Sequence, residues 1–258
     1  MPDQENKPTV VIAVCGKGGV GKTSISAMMV KILVRDRQKK ILAIDADPAV
    51  GLASALGITA QKTVDDIRNS LVQRLEDRQA GDKEELLTHL DYEMLEALTE
   101  RENLAFLAIG RPEKEGCYCQ VNTLLKGFIA SMADHFDYVV IDGEAGIEQL
   151  NRRVMEKVSH LVLVADPSAK AIHVAQTIQQ IARHTVEYKL SGLVVNRYQS
   201  TKEIESIFIP EDLHIIGWVP EDDVIRRCDI QGKSVLDLPN YNALYAVEEC
   251  LQSICHSF

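Results

Sequence analysis

Lys17 and Lys22 stand inside one glycine-rich run, Gly16-Lys17-Gly18-Gly19-Val20-Gly21-Lys22-Thr23, which is followed by Ser24. A loop of this composition suits a polyphosphate. Its glycines let backbone N–H groups converge on phosphate oxygens, and a helix starting at the loop's end adds the positive pole of its dipole. Lys22 has the reach for the terminal phosphates, and the Thr23 hydroxyl stands where it can ligate Mg²⁺. The run follows the apolar stretch Thr9 to Cys15 and precedes helical spacing at Ile25, Met28, Met29, Ile32 and Leu33. Strand, loop and helix in that order are what a P-loop requires, so Gly16 to Ser24 are read as the phosphate-binding set.

Two further motifs end in carboxylates. Ile44-Asp45-Ala46-Asp47-Pro48 closes one apolar run and Val140-Ile141-Asp142-Gly143 closes another. In an open parallel sheet, ligands bind beyond the C-terminal ends of the strands. Asp47 is then placed to orient an attacking water, and Asp142 to hold Mg²⁺ together with Thr23. An aspartate at a strand end also serves as a helix cap or turn former; the adjoining phosphate loop favours the catalytic reading.

Among the six cysteines, Cys117 and Cys119 flank Tyr118. In an extended segment both thiols project from one face and can bind one soft cation. A closed structural site needs four protein ligands, and no histidine lies nearby in the sequence to complete one. Two copies about a twofold axis supply four thiolates, enough for tetrahedral Zn²⁺ or planar Ni²⁺. A redox-active pair, or two cysteines of no special role, are the other readings of this spacing. Cys15 reads as a small buried apolar residue, and Cys228, Cys250 and Cys255 lack ligand spacing.

The elements that must position these groups follow from the apolar pattern. Short β-branched runs recur at Thr9–Cys15, Lys40–Ala46, Leu104–Ile109, Asp137–Asp142, His160–Ala165, Ser191–Asn196 and His214–Val219, mostly with helical spacing between them. The expected fold class is α/β, a doubly wound and mainly parallel sheet of about seven strands flanked by helices. One domain spans residues 1–258. The gap from Gly57 to Asn103 exceeds what a plain crossover needs and predicts a helical insertion. Val64, Ile67, Leu71 and Leu75 share one helical face, and Leu86, Leu87, Leu90, Met94 and Leu98 another, with Ala80-Gly81-Asp82 as the break. These helices either cover core surface or contact a partner. Leu238-Pro239-Asn240 stops a segment, and Tyr241 to Cys255 reads as a closing helix.

Composition narrows the partners. At 258 residues, with 46% hydrophobic and 26% charged side chains, the chain has ordinary globular usage. Its 28 Lys+Arg against 38 Asp+Glu leave a net charge of −10, which argues against binding a nucleic-acid backbone. Met1 to Pro8 lacks a signal pattern, and apolar runs such as Leu161–Ala165 are too short to span a bilayer. The expectation is a cytoplasmic protein without nucleic-acid or membrane partners.

The run GKGGVGKT resembles the deviant Walker A motif of the MinD, ParA and nitrogenase iron-protein class. The resemblance implies that ATP is the nucleotide and that binding it drives formation of a homodimer. It implies that Lys17 crosses the dimer interface to the other copy's nucleotide, stabilising phosphoryl-transfer charge in trans as an arginine finger does. It also implies that Asn196 and Arg197, at the end of Val194-Val195-Asn196-Arg197, and the loop Pro220-Glu221-Asp222 surround the adenine. The block Ile109 to Asn122, which contains Gly116-Cys117-Tyr118-Cys119, and the stretch DGEAGIEQLNRR from Asp142 to Arg153 are similar to the CooC-type ATPases and their AcsF-like relatives. That family helps insert nickel into the cluster of carbon monoxide dehydrogenase or acetyl-CoA synthase. Such a resemblance implies a slowly hydrolysing metallochaperone, with Ni²⁺ or Zn²⁺ shared between Cys117 and Cys119 of two copies. The alternative is an electron-transfer ATPase with a subunit-bridging [4Fe-4S] cluster, which also needs four thiolates.

Overall fold

The computed structural model of this chain describes residues 8–76, 83–111, 119–144, 154 and 157–255. Each expected apolar run forms a strand: β1 (Val10–Gly16), β2 (Ile41–Asp45), β4 (Leu104–Ala108), β5 (Tyr138–Asp142), β6 (Lys157–Ala165), β7 (Glu187–Tyr198) and β8 (Ile215–Pro220). β2 and β4 are buried along their whole length. Such continuous burial, in place of in-out alternation, is what a sheet covered on both faces demands. Each fully enclosed Ile or Leu, such as Ile12, Ile41 and Leu42, contributes about 1.5–3 kcal/mol by leaving water.

The sheet has eight strands in the order β3-β4-β2-β5-β1-β6-β7-β8, one more than the expected seven or so. The additional strand, β3 (Thr99–Arg101), pairs antiparallel with β4 across a turn at Glu102, whose φ is 56°. It carries no apolar signal. Its side chains are polar, Glu100 and Arg101 are exposed, and charge on an outer strand discourages pairing with another chain. Every other adjacent pair of strands is parallel.

The helices are α1 (Lys22–Leu33), α2 (Gly51–Leu56), α3 (Val64–Glu76), α4 (Lys83–Ala97), α5 (Cys119–Ala133), α6 (Ala169–Thr185), α7 (Thr201–Ser206), α8 (Asp223–Gln231) and α9 (Asn242–Cys255). From β1 to β2 the chain moves one way along the sheet and from β4 to β5 the other. Right-handed crossovers therefore put α1 and α5 on opposite faces. The two amphipathic helices of the insertion form as α3 and α4, while their breaker Ala80-Gly81-Asp82 lies outside the described residues. The short α2 precedes them and was not foreseen.

Lys31 fixes the C-terminal segment to α1. Its ammonium, buried with the rest of the side chain, donates to the carbonyls of Val235, Leu236 and Leu238 at 3.0, 2.8 and 2.6 Å. Burial lowers its pKa, while the three acceptors offset the cost of carrying the charge inside. The parallel sheet now sets the C-terminal ends of β1, β2, β5, β7 and β8 along one rim, where the chemistry-bearing residues lie.

Candidate functional site

At that rim β1 ends in Gly16, where a Cβ would stand 2.2 Å from the Val164 carbonyl oxygen. Only glycine passes so close to β6. Gly21 precedes α1 with φ 93°, and a Cβ there would meet the Asn196 Nδ2 at 2.4 Å. Among the described residues, no side chain caps α1. Its first N–H groups therefore remain available to an anion at the positive end of the helix dipole.

Two side chains from the end of β7 hold the loop from behind. Asn196 Nδ2 donates to the Val20 carbonyl at 2.8 Å, and an Arg197 guanidinium nitrogen donates to the Gly19 carbonyl at 3.0 Å. In a trans peptide the carbonyl and the next N–H point opposite ways. Drawing these two carbonyls toward β7 consequently turns the N–H groups of Val20 and Gly21 to the other side of the loop, the arrangement of an anion nest. Arg197 holds φ 66°, an uncommon left-handed geometry for a non-glycine residue. Pro220, which ends β8, pairs with Tyr198 beside them.

Thr23 and Asp142 meet across the site. The Thr23 hydroxyl donates to Asp142 Oδ2 at 2.7 Å, and Ser26, one turn along α1, donates to Oδ1 at 3.1 Å. Asp142 is sealed from solvent, and burial pushes its pKa up to about 7. Asp45 lies in register with it on the neighbouring strand, also fully buried, with its pKa raised to about 6 by the same cause. Two dehydrated carboxylates beside a hydroxyl form a hard oxygen donor set, the chemistry that suits Mg²⁺. Lys22, buried alongside, lowers the Asp142 pKa.

Asp45 carries no distinct signal in the sequence motif, but the structure gives it a role. Its carboxylate accepts from the N–H groups of Leu52 at 2.8 Å, Ala53 at 3.3 Å and Asp47 at 3.2 Å. It thereby caps α2 and fixes the turn that carries Asp47, itself half-buried with Oδ1 accepting from Ala49 N–H. Val50, at the start of α2, holds φ 51°. A β-branched residue in the left-handed region is strained, and the strain sits in the segment that presents Asp47. Ser26 was also missed; its signal was a hydroxyl three residues after Thr23 on the same helical face.

Lys17 is half-buried in the loop next to the exposed Gly18 and Gly19. Cys15 is wholly enclosed, and burial raises its thiol to about 12, so it behaves as a small apolar group. Cys228 and Cys250 are buried as well. Cys117 lies outside the described residues, and Cys119 opens α5. Among the described residues, no group of three or more His, Cys, Asp and Glu side chains is arranged to hold a metal ion.

Residues 11–235, from β1 to the turn that Lys31 holds, match the model of the CobQ/CobB/MinD/ParA nucleotide-binding domain. The chain belongs to that family. It is 36% identical over 254 residues to the uncharacterised ATP-binding protein MJ0685 of Methanocaldococcus jannaschii, covering 95% of this chain and 98% of that protein. It is 30% identical over 237 residues to the carbon monoxide dehydrogenase accessory protein CooC of Rhodospirillum rubrum, covering 88% and 89% of the two. The cell division ATPase MinD of Pyrococcus furiosus has the same fold, with a TM-score of 0.66 at 21% identity over 96% of this chain and 99% of that one. The fold is that of a MinD/ParA-type P-loop NTPase. Among the described residues no helix is long and apolar enough to cross a membrane.

Proposed function

We propose that the chain is an ATP-dependent nickel metallochaperone that helps load the cluster of carbon monoxide dehydrogenase or acetyl-CoA synthase. The observation that carries this reading is the 30% identity, over most of both chains, with a carbon monoxide dehydrogenase accessory protein. The pair Cys117 and Cys119 at the entry to α5 gives the chain soft ligands to match.

The loop from Gly16 to Ser24 holds the phosphates, Lys22 neutralises the terminal ones, and Thr23 with Asp142 holds Mg²⁺. Asn196, Arg197 and Pro220 border the adenine. Lys17 reaches the nucleotide of a second copy, so ATP joins two chains. The joined chains bring two Cys-x-Cys pairs together, and four thiolates take one Ni²⁺ or Zn²⁺ as cargo. Asp47 orients the attacking water, and hydrolysis separates the copies. Turnover is slow, because fast hydrolysis would discard the loaded state before delivery.

The test is the double substitution Cys117→Ala/Cys119→Ala, followed by anaerobic elemental analysis and ATP titration. The expected result is loss of bound nickel or zinc with ATP affinity unchanged. Metal content equal to that of the wild type would remove the cysteines from the account, and cluster iron in the wild type would replace the chaperone reading with an electron-transfer one.

A further inference from the structure

A groove of about 1320 Å³ lies between α4 and α5 over the start of β4, toward the sheet's opposite rim from the phosphate loop. Met94, Leu95 and Leu98 line one wall, and Leu124, Phe128 and Met132 the other. Met94 belongs to the core, while Leu98, Leu124, Phe128 and Met132 pack against it and are only half-buried, so part of their apolar surface faces the groove. α5 already buries Val121, Leu125, Ile129 and Ala133 against the sheet, so Leu124, Phe128 and Met132 make a second apolar stripe at four-residue spacing. Leu95 is 65% exposed.

Shape and charge say what fits there. Gly127 lies in the α5 wall with nothing within 4 Å of where its Cβ would be. Glycine inside a helix costs about 0.5–1 kcal/mol, and here it leaves the α5 backbone open to close approach. Thr123 and Ser131, one turn to either side, extend that low ridge. A helix is about 10 Å across and rises 1.5 Å per residue, so about ten residues fill on the order of 1,200 Å³. Among the described lining residues, three carboxylates stand on the rim, Asp91 on α4, Glu100 on β3 and Glu102 in the turn, against the single cation Lys40. Glu102 is paired with Arg37, while Asp91 and Glu100 are exposed. The rim and the chain's net charge of −10 favour a cationic occupant.

We infer that this groove docks one amphipathic helix of a partner protein. That helix turns an apolar face with three- and four-residue spacing toward α4 and α5, and basic residues toward Asp91 and Glu100. The inference rests on no part of the nickel reading.

The probe is a fluorescent peptide of about twelve residues, leucines on one helical face and lysines on the other, titrated into the full-length protein. Wild type should bind it one to one. Gly127→Leu, which fills the open space with a better helix former, should weaken binding at least about tenfold. Asp91→Lys/Glu100→Lys should do the same without altering ATP affinity. Amide exchange in the complex should slow over residues 90–98 and 123–136. Equal binding of a scrambled peptide of the same composition would overturn the inference. So would exchange protection confined to other elements, or self-association of the wild type that Gly127→Leu abolishes.

Discussion

Asp45 and Asp142 end neighbouring parallel strands in register, both sealed from solvent, with Thr23 donating to the second at 2.7 Å. Burial disfavours both charges, and each carboxylate raises the cost of ionising the other. A divalent cation held at Thr23 and Asp142, as proposed, would relieve both penalties. Asp142→Asn is therefore expected to reduce ATP affinity in Mg²⁺ about 10- to 100-fold, with little change when Mg²⁺ is chelated. Calorimetric titration with and without the cation checks this, and an equal loss in both conditions would contradict it.

Asn196 acts on the loop from a distance of 176 residues along the chain. Asn196→Ala leaves the Val20 carbonyl without its side-chain partner and lets the peptide rotate its N–H away from the phosphates. An unmet buried acceptor costs about 1–3 kcal/mol, which corresponds to a loss of ATP affinity of roughly tenfold. An Asn196→Ala protein that binds ATP as tightly as wild type would show that the loop holds its shape alone.

His160, on β6 beneath the rim, is 2% exposed, and burial lowers its pKa to about 4, with Lys189 adding to the shift. Between pH 6.5 and 4 the native state binds fewer protons than the unfolded chain, so stability rises with pH and is lost as pH falls. The depression corresponds to at most about 3 kcal/mol. Asp45 and Asp142 work in the opposite sense, since their raised values make the native state bind protons more tightly. Their contribution cancels when two proteins are compared. Urea unfolding at several pH values should show wild type losing more stability than His160→Leu on acidification through this window. Parallel losses would contradict the assignment.

The P-loop was legible because its residues form one contiguous run whose turn demands a left-handed φ at Gly21, although Gly16 is required by the distant Val164 carbonyl. The expected strands were legible because parallel strands covered on both faces must be continuously apolar. β3 was not, since three polar residues at an edge are held by the Glu102 turn and by pairing with β4. Nor was α2, too short at six residues to show a period. The part played by Asp45 depends on a strained turn at Val50 that sets Leu52 and Ala53 over its carboxylate. That contact belongs to the folded turn and has no pattern of its own in the sequence. The same is true of Asn196 and Arg197, whose grip on the loop carbonyls exists only once β7 lies near β1, with β6 between them.

The account turns on nucleotide-dependent pairing of two chains around one ion. The most direct measurement is the mass and nickel content of anaerobic protein, with and without a slowly hydrolysed ATP analogue, for wild type and Lys17→Ala. The account predicts that the analogue converts wild type to dimers holding one nickel per two chains, and that Lys17→Ala stays monomeric and metal-poor. A monomer with nucleotide that retains nickel as tightly as the dimer would contradict it.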